Sequence, residues 1–266
     1  MKSILKSIGY VLAFILIQIL IQMVFSAVAV ANGACTESDV MEYITNNTLL
    51  LSVITNMVTL LSITIFRKIR KKPSTGMFCF QNVTLNSCLI CAITALAFSL
   101  CFSLVTYRTQ FENAKLISQS YAYFSEAVPL LGPVMTVVAL LISAPIVEEY
   151  ICRGILFAEL EKKFSANITI ILSAVIFGVI HIIAGGIILA LGATLMGLIF
   201  GYIYQKTKSL AVAVIAHSCA NLSDFILQLI PNLNTLTIII GSFICAVITI
   251  VGLFYLNKGE RSLVTK

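Results

Sequence analysis

Eight runs of roughly twenty apolar residues follow one another along this chain, at about 8–31, 48–66, 84–106, 134–158, 168–185, 187–205, 210–229 and 236–256. A helix that crosses a bilayer needs about 20 such residues. Inside hydrocarbon every backbone N–H and C=O must find its partner within the protein, which leaves helices or a closed barrel. Runs of this length predict helices, so the fold class is an all-α polytopic membrane bundle of about eight transmembrane helices. Charged residues make up 11% of the chain and mean hydropathy is +1.04, whereas soluble domains carry about 25% charged residues. That leaves little mass for a soluble domain. Lys2 and Lys6 precede the first run, which is too long for the apolar stretch of a signal peptide and reads as a retained first span.

The basic residues orient the bundle. With the N-terminus in the cytosol, Lys2, Lys6, Arg67, Lys68, Arg70, Lys71, Lys72, Lys162, Lys163, Lys206, Lys208, Lys258, Arg261 and Lys266 all fall inside, 14 of 17 basic residues. Only Arg108 and Lys115 fall outside, and Arg153 lies within the membrane. The positive-inside rule therefore predicts N-in, C-in topology. The same placement explains the net charge of +6 without nucleic acid. The first outer loop is acidic, with Glu37, Asp39 and Glu42. The stretch 107–133 reads as an outer loop with an interfacial or re-entrant piece, punctuated by Gly132-Pro133. Cys88-x-x-Cys91 has redox spacing but sits in a predicted span, where cysteine behaves as a small hydrophobe.

Three clusters of polar residues interrupt the later runs. Ionisable groups at membrane depth are costly and functional by default. In PIVEEYICRG, Glu149 and Arg153 stand four apart on one helix face, while Glu148 points about 100° away. Pro145, one turn earlier, predicts a kink. In the next segment Phe177 and His181 share a face, and two runs later His217 and Asn221 do the same. At 1.5 Å per residue, Glu148 lies about 22 Å from Lys163, His181 about 21 Å from Asn167, and Asn221 about 20 Å from Lys208. All three distances run from the cytosolic side, so the clusters can meet at one depth. They supply a carboxylate base, two imidazoles and an amide donor, the parts for activating water and holding an oxyanion. Ser143, Thr194, Ser218 and Ser223 fit helix contacts better than a cavity lining. Asp224 fits the outer exit of its helix better than a partner of His217.

The ordered set Glu-Glu-x-x-x-Arg, Phe-x-x-x-His and His-x-x-x-Asn resembles the CPBP family of intramembrane proteases. These are the CAAX proteases and bacteriocin-processing (Abi) enzymes, related to Rce1, and the resemblance covers about 148–221. It implies that Glu148 and His181 activate a water against a scissile peptide, and that His217 and Asn221 hold the oxyanion. Glu149, Arg153 and Phe177 would support the site. The family has been described both as metalloproteases and as metal-independent glutamate enzymes. Glu148, His181 and His217 could form a Zn2+ set with an open position, but no helix carries a His-Glu-x-x-His pair. The metal-free reading is preferred. The chain divides into N-terminal helices of about three spans (1–122) and a core carrying the motifs (123–266). The expected partners are the lipid bilayer and a membrane-anchored peptide, with the site facing the cytosol of a bacterial plasma membrane. The alternatives are a non-proteolytic scaffold or bacteriocin-immunity protein of the same fold, and a proton-relaying transporter, against which the lack of an internal repeat counts.

Overall fold

The computed structural model describes residues 2–70, 83–107, 111–228, 230 and 233–258. Among them every regular element is helical. The order is α1 (Lys2–Ala31), α2 (Glu37–Asn46), α3 (Thr48–Ile69), α4 (Leu85–Val105), α5 (Phe111–Ala127), α6 (Leu131–Leu160), α7 (Ala166–Ile182), α8 (Gly186–Thr207), α9 (Leu210–Gln228) and α10 (Thr235–Lys258). Among the described residues seven helices are long and apolar enough to cross a membrane: α3, α4, α6, α8, α9, α10 and the Ile8–Ala31 stretch of α1. The chain is an integral membrane protein. The span expected at 168–185 is the shorter apolar helix α7.

The end of the bundle that carries α2 is fixed by capping. α2 begins at Thr36, whose side chain accepts from the Asp39 N–H, while the Asp39 carboxylate accepts from Thr36 and Cys35 N–H groups at 2.9 and 3.0 Å. Those two backbone bonds hold the Asp39 carboxyl below its usual range. The stretch expected to be an interfacial piece is α5, whose Ser120 hydroxyl donates to the Asn46 carbonyl at 2.8 Å and accepts from the Leu49 N–H at 3.2 Å. Gly132, at the start of α6, admits the Ser125 hydroxyl and Tyr121 carbonyl of α5 where a Cβ would stand 2.1 and 2.6 Å from them. At the opposite end, Lys208 pairs with Glu161 at 2.6 Å, and Lys206 reaches Asn257. The Tyr10 ring meets Phe66, with Arg70 over the latter. The basic helix ends are thus gathered on one side.

Ala166–Thr207 is helical up to and beyond a reversal, so that α7 and α8 form an antiparallel hairpin. A Cβ on Gly178 would fall 1.8 Å from Thr194 Oγ1 and 2.6 Å from the Ala190 carbonyl, and one on Gly197 would fall 2.9 Å from Ala174 Cα. On a straight helix Gly178 and Thr194 would be about 24 Å apart. The reversal sits at Gly186, whose φ of +71° is open to glycine. Gly178→Ala should therefore push the two helices apart and destabilise by about 1–3 kcal/mol, read as a lower thermal unfolding midpoint in detergent.

α6 departs most from a regular helix. Two wide π-type stretches, Val137–Ser143 and Tyr150–Phe157, flank the ordinary turns Ala144–Glu149. Such wide turns recur at functional sites. Pro145 has no N–H to return to the turn before it. The carbonyls of Leu140 and Leu141 instead accept from Asn221 Nδ2 at 2.8 Å and Ser218 Oγ at 2.7 Å, both on α9. The kink expected at Pro145 takes the form of widened turns whose spare carbonyls are capped by a neighbouring helix.

Candidate active site

The ordinary turns between the π stretches carry Glu148 and Glu149 to different surroundings. Glu149 and Arg153 are fully buried and paired at 3.0 Å, as the four-residue spacing predicts. Arg153 also donates to the Gly197 carbonyl at 2.8 Å, and its guanidinium lies over the Phe177 and Phe200 rings at 5.1 and 5.6 Å. A buried ion pair is tolerable only when such further partners are present. Glu149 Oε1 has a second partner, His217 Nδ1, at 2.9 Å. An ionised carboxylate can only accept, so His217 donates from Nδ1 and turns Nε2 outward. Phe200 stacks on the imidazole at 4.5 Å.

His181 is oriented in the same way by different means. Its Nδ1 lies 2.7 Å from the Phe177 carbonyl, which accepts the proton and leaves Nε2 with the lone pair. The Phe177 ring touches His181 at 4.5 Å and meets His217 edge-on at 5.9 Å. Both Nε2 atoms face Glu148 Oε2, His181 at 3.7 Å and His217 at 3.9 Å. That oxygen has no hydrogen-bond partner among the described residues. Glu148 and His181 side chains are 20% and 21% exposed, whereas His217 is nearly closed off. Glu148 and His181 open on a cavity of about 240 Å3 that is also lined by Phe14, Gln18 and Gln22 of α1. A more open groove of about 600 Å3 beside Ile170, Leu198 and Phe254 holds no carboxylate or imidazole.

The residues singled out from sequence are thus brought together, with Asn221 differently engaged. One of its amide hydrogens is spent on the Leu140 carbonyl. Asn221→Ala should leave that carbonyl unpaired and lower stability by about 1–3 kcal/mol, and a Pro145→Ala change in the same chain should recover part of the loss by supplying an N–H. Thermal unfolding of the two variants checks this. Asp224 accepts from Ser103 at 3.2 Å, and Ser143, Thr194, Ser218 and Ser223 all bond to backbone or to other helices. The donor types of Glu148, His181 and His217 suit zinc. Among the described residues, however, no three His, Cys, Asp or Glu side chains are gathered as a ligand set, so as placed they do not fit one.

Four contributors were not anticipated. Gly197 and Phe200 hold Arg153 and His217, and Gln18 and Gln22 face the cavity. Gly197-x-x-x-Gly201 is a small-residue spacing that marks close helix approach, which was a legible signal. The α1 amides recur four residues apart in an otherwise apolar span.

Residues 130–223 match the family described as type II CAAX prenyl endopeptidase Rce1-like. This match supports membership of the segment in the CPBP family. The matched segment contains each of the seven residues from Glu148 to Asn221 discussed above. The chain is also 36% identical over 111 residues to "Putative membrane peptidase YdiL" of Bacillus subtilis (strain 168), a match covering 42% of each chain. No solved structure matches the chain significantly. α1 to α5 lie outside the CPBP match, although α1 closes the cavity.

Proposed function

We propose that this chain is an intramembrane endopeptidase that hydrolyses a peptide bond of a membrane-anchored substrate. The observation that carries the reading is the convergence of two imidazole Nε2 atoms on one unpartnered carboxylate oxygen at a cavity wall. A water held off the line between Glu148 Oε2 and His181 Nε2 can donate to both. As its oxygen attacks the scissile carbonyl carbon, Glu148 takes one proton, and it later delivers that proton to the leaving amine as the C–N bond breaks. An imidazolium at His217 would give Nδ1–H to Glu149 and Nε2–H to the developing oxyanion, with the second Asn221 amide hydrogen as a further donor. Glu149, Arg153 and Phe177 hold the imidazoles in place.

The motif-bearing core is taken as 123–266, with the N-terminal helices of 1–122 supplying the α1 wall. The basic helix ends favour an orientation with the site facing the cytosol, and the bacterial relative favours a bacterial plasma membrane. Purified protein in detergent, given prenylated and unprenylated membrane-anchored peptides, should cleave at least one. Cleavage should persist in a zinc chelator. Failure to cleave any peptide, together with full cellular function of a Glu148→Ala chain, would favour a non-proteolytic scaffold instead.

A further inference from the structure

α1 lies outside the family match, yet it forms one wall of the cavity that holds Glu148 and His181. Phe14, Gln18 and Gln22 recur every four residues and so share one stripe of the helix. Phe14 is buried against Ile151 and Phe177, whereas Gln18 and Gln22 are exposed. At 1.5 Å per residue, Gln18 and Gln22 stand about 15 and 21 Å along α1 from Ile8, and Glu148 stands about 18 Å from Leu160 at the same end of the bundle. The two amides therefore bracket the depth of the carboxylate. A primary amide facing hydrocarbon without a partner is costly, and the neighbouring residues of α1 are apolar.

We infer that Gln18 and Gln22 hold the substrate backbone in extended form across Glu148. The inference rests on the endopeptidase reading. A glutamine side chain carries both donor hydrogens and an acceptor oxygen. One residue of an extended chain presents its own N–H and C=O to the same edge, and the next residue to do so is two positions on, about 6.8 Å away. The two glutamines, one turn apart, are separated by about 6 Å along α1. Each amide can thus pair with one of two alternate substrate residues. The residue between them turns its C=O to the opposite edge, toward Glu148. The scissile carbonyl is presented to the activated water by backbone recognition, which reads chain extension rather than side-chain identity.

The test uses the membrane-anchored peptide that the wild-type protein cleaves fastest. Gln18→Leu and Gln22→Leu should each raise KM about tenfold while kcat stays within about threefold, the pattern of lost ground-state binding. Replacing one same-edge peptide N–H of the substrate by an ester oxygen should raise KM for the wild type and leave the double Leu variant unaffected. Equal KM in all variants, or an ester effect that persists in the double variant, overturns the inference while the endopeptidase reading stands. A wild type that cleaves nothing overturns both. If the Leu variants do not fold, disulfide trapping of Gln18→Cys against a cysteine moved along the peptide replaces them. Trapping at alternate positions is expected, and trapping without that period overturns the inference.

Discussion

Glu148→Gln is expected to abolish cleavage without unfolding the protein. The amide keeps the side chain's size and one acceptor oxygen but cannot take a proton from water. General-base catalysis contributes about 10^2–10^4 in rate, so kcat should fall by about 10^3. Thermal stability should change little, because Glu148 Oε2 has no hydrogen-bond partner among the described residues to lose. The measurement is kcat at saturating peptide beside the unfolding midpoint of the same sample. Retained turnover would remove Glu148 from the chemistry and leave His181 as the base.

Arg153→Met should produce the largest loss of stability of any single change at the site. Arg153 and Glu149 are both fully buried, and removing one partner of a buried pair leaves an uncompensated charge at a cost of about 3–5 kcal/mol. The variant should lose most of its folded yield in detergent and all of its activity. Replacing both residues, as in Glu149→Met/Arg153→Met, removes the stranded charge and should recover much of the stability. Activity should stay lost, because His217 no longer has the carboxylate that accepts its Nδ1 proton at 2.9 Å. Recovery of activity along with stability would show that His217 needs no such acceptor.

The helices were legible because hydrocarbon permits so few alternatives. Runs of apolar residues located the seven membrane-length helices and the shorter α7, and the break expected near residue 186 falls where Gly186 reverses the chain. The site was legible for a related reason. Glu148, Glu149, Arg153, His181 and His217 stand out against apolar neighbours, and four-residue spacings identify which of them share a face. Contributors without contrast stayed hidden. Phe200 is one aromatic among many apolar residues, and its stacking on His217 is decided by the approach of α8 to α9. Pro145 announced a local disturbance, but whether it kinks or widens the helix depends on donors 73 and 76 residues away, Ser218 and Asn221. Gln18 and Gln22 carry no charge, and their relevance rests on a cavity that no one-dimensional pattern encodes.

The capped carbonyls of Leu140 and Leu141 also bear on which part of the bundle can move. If α6 and α9 separated, two C=O groups would lose donors that the surrounding hydrocarbon cannot replace. That seam therefore resists opening, and it keeps Glu148 and Glu149 of α6 in register with His217 of α9. α1 has no comparable tie to this seam: only Val11, Phe14 and Ala29 of its described side chains are buried. Of the walls of the cavity, α1 is held chiefly by apolar contact, so widening of the cavity costs less at α1 than at the α6–α9 seam.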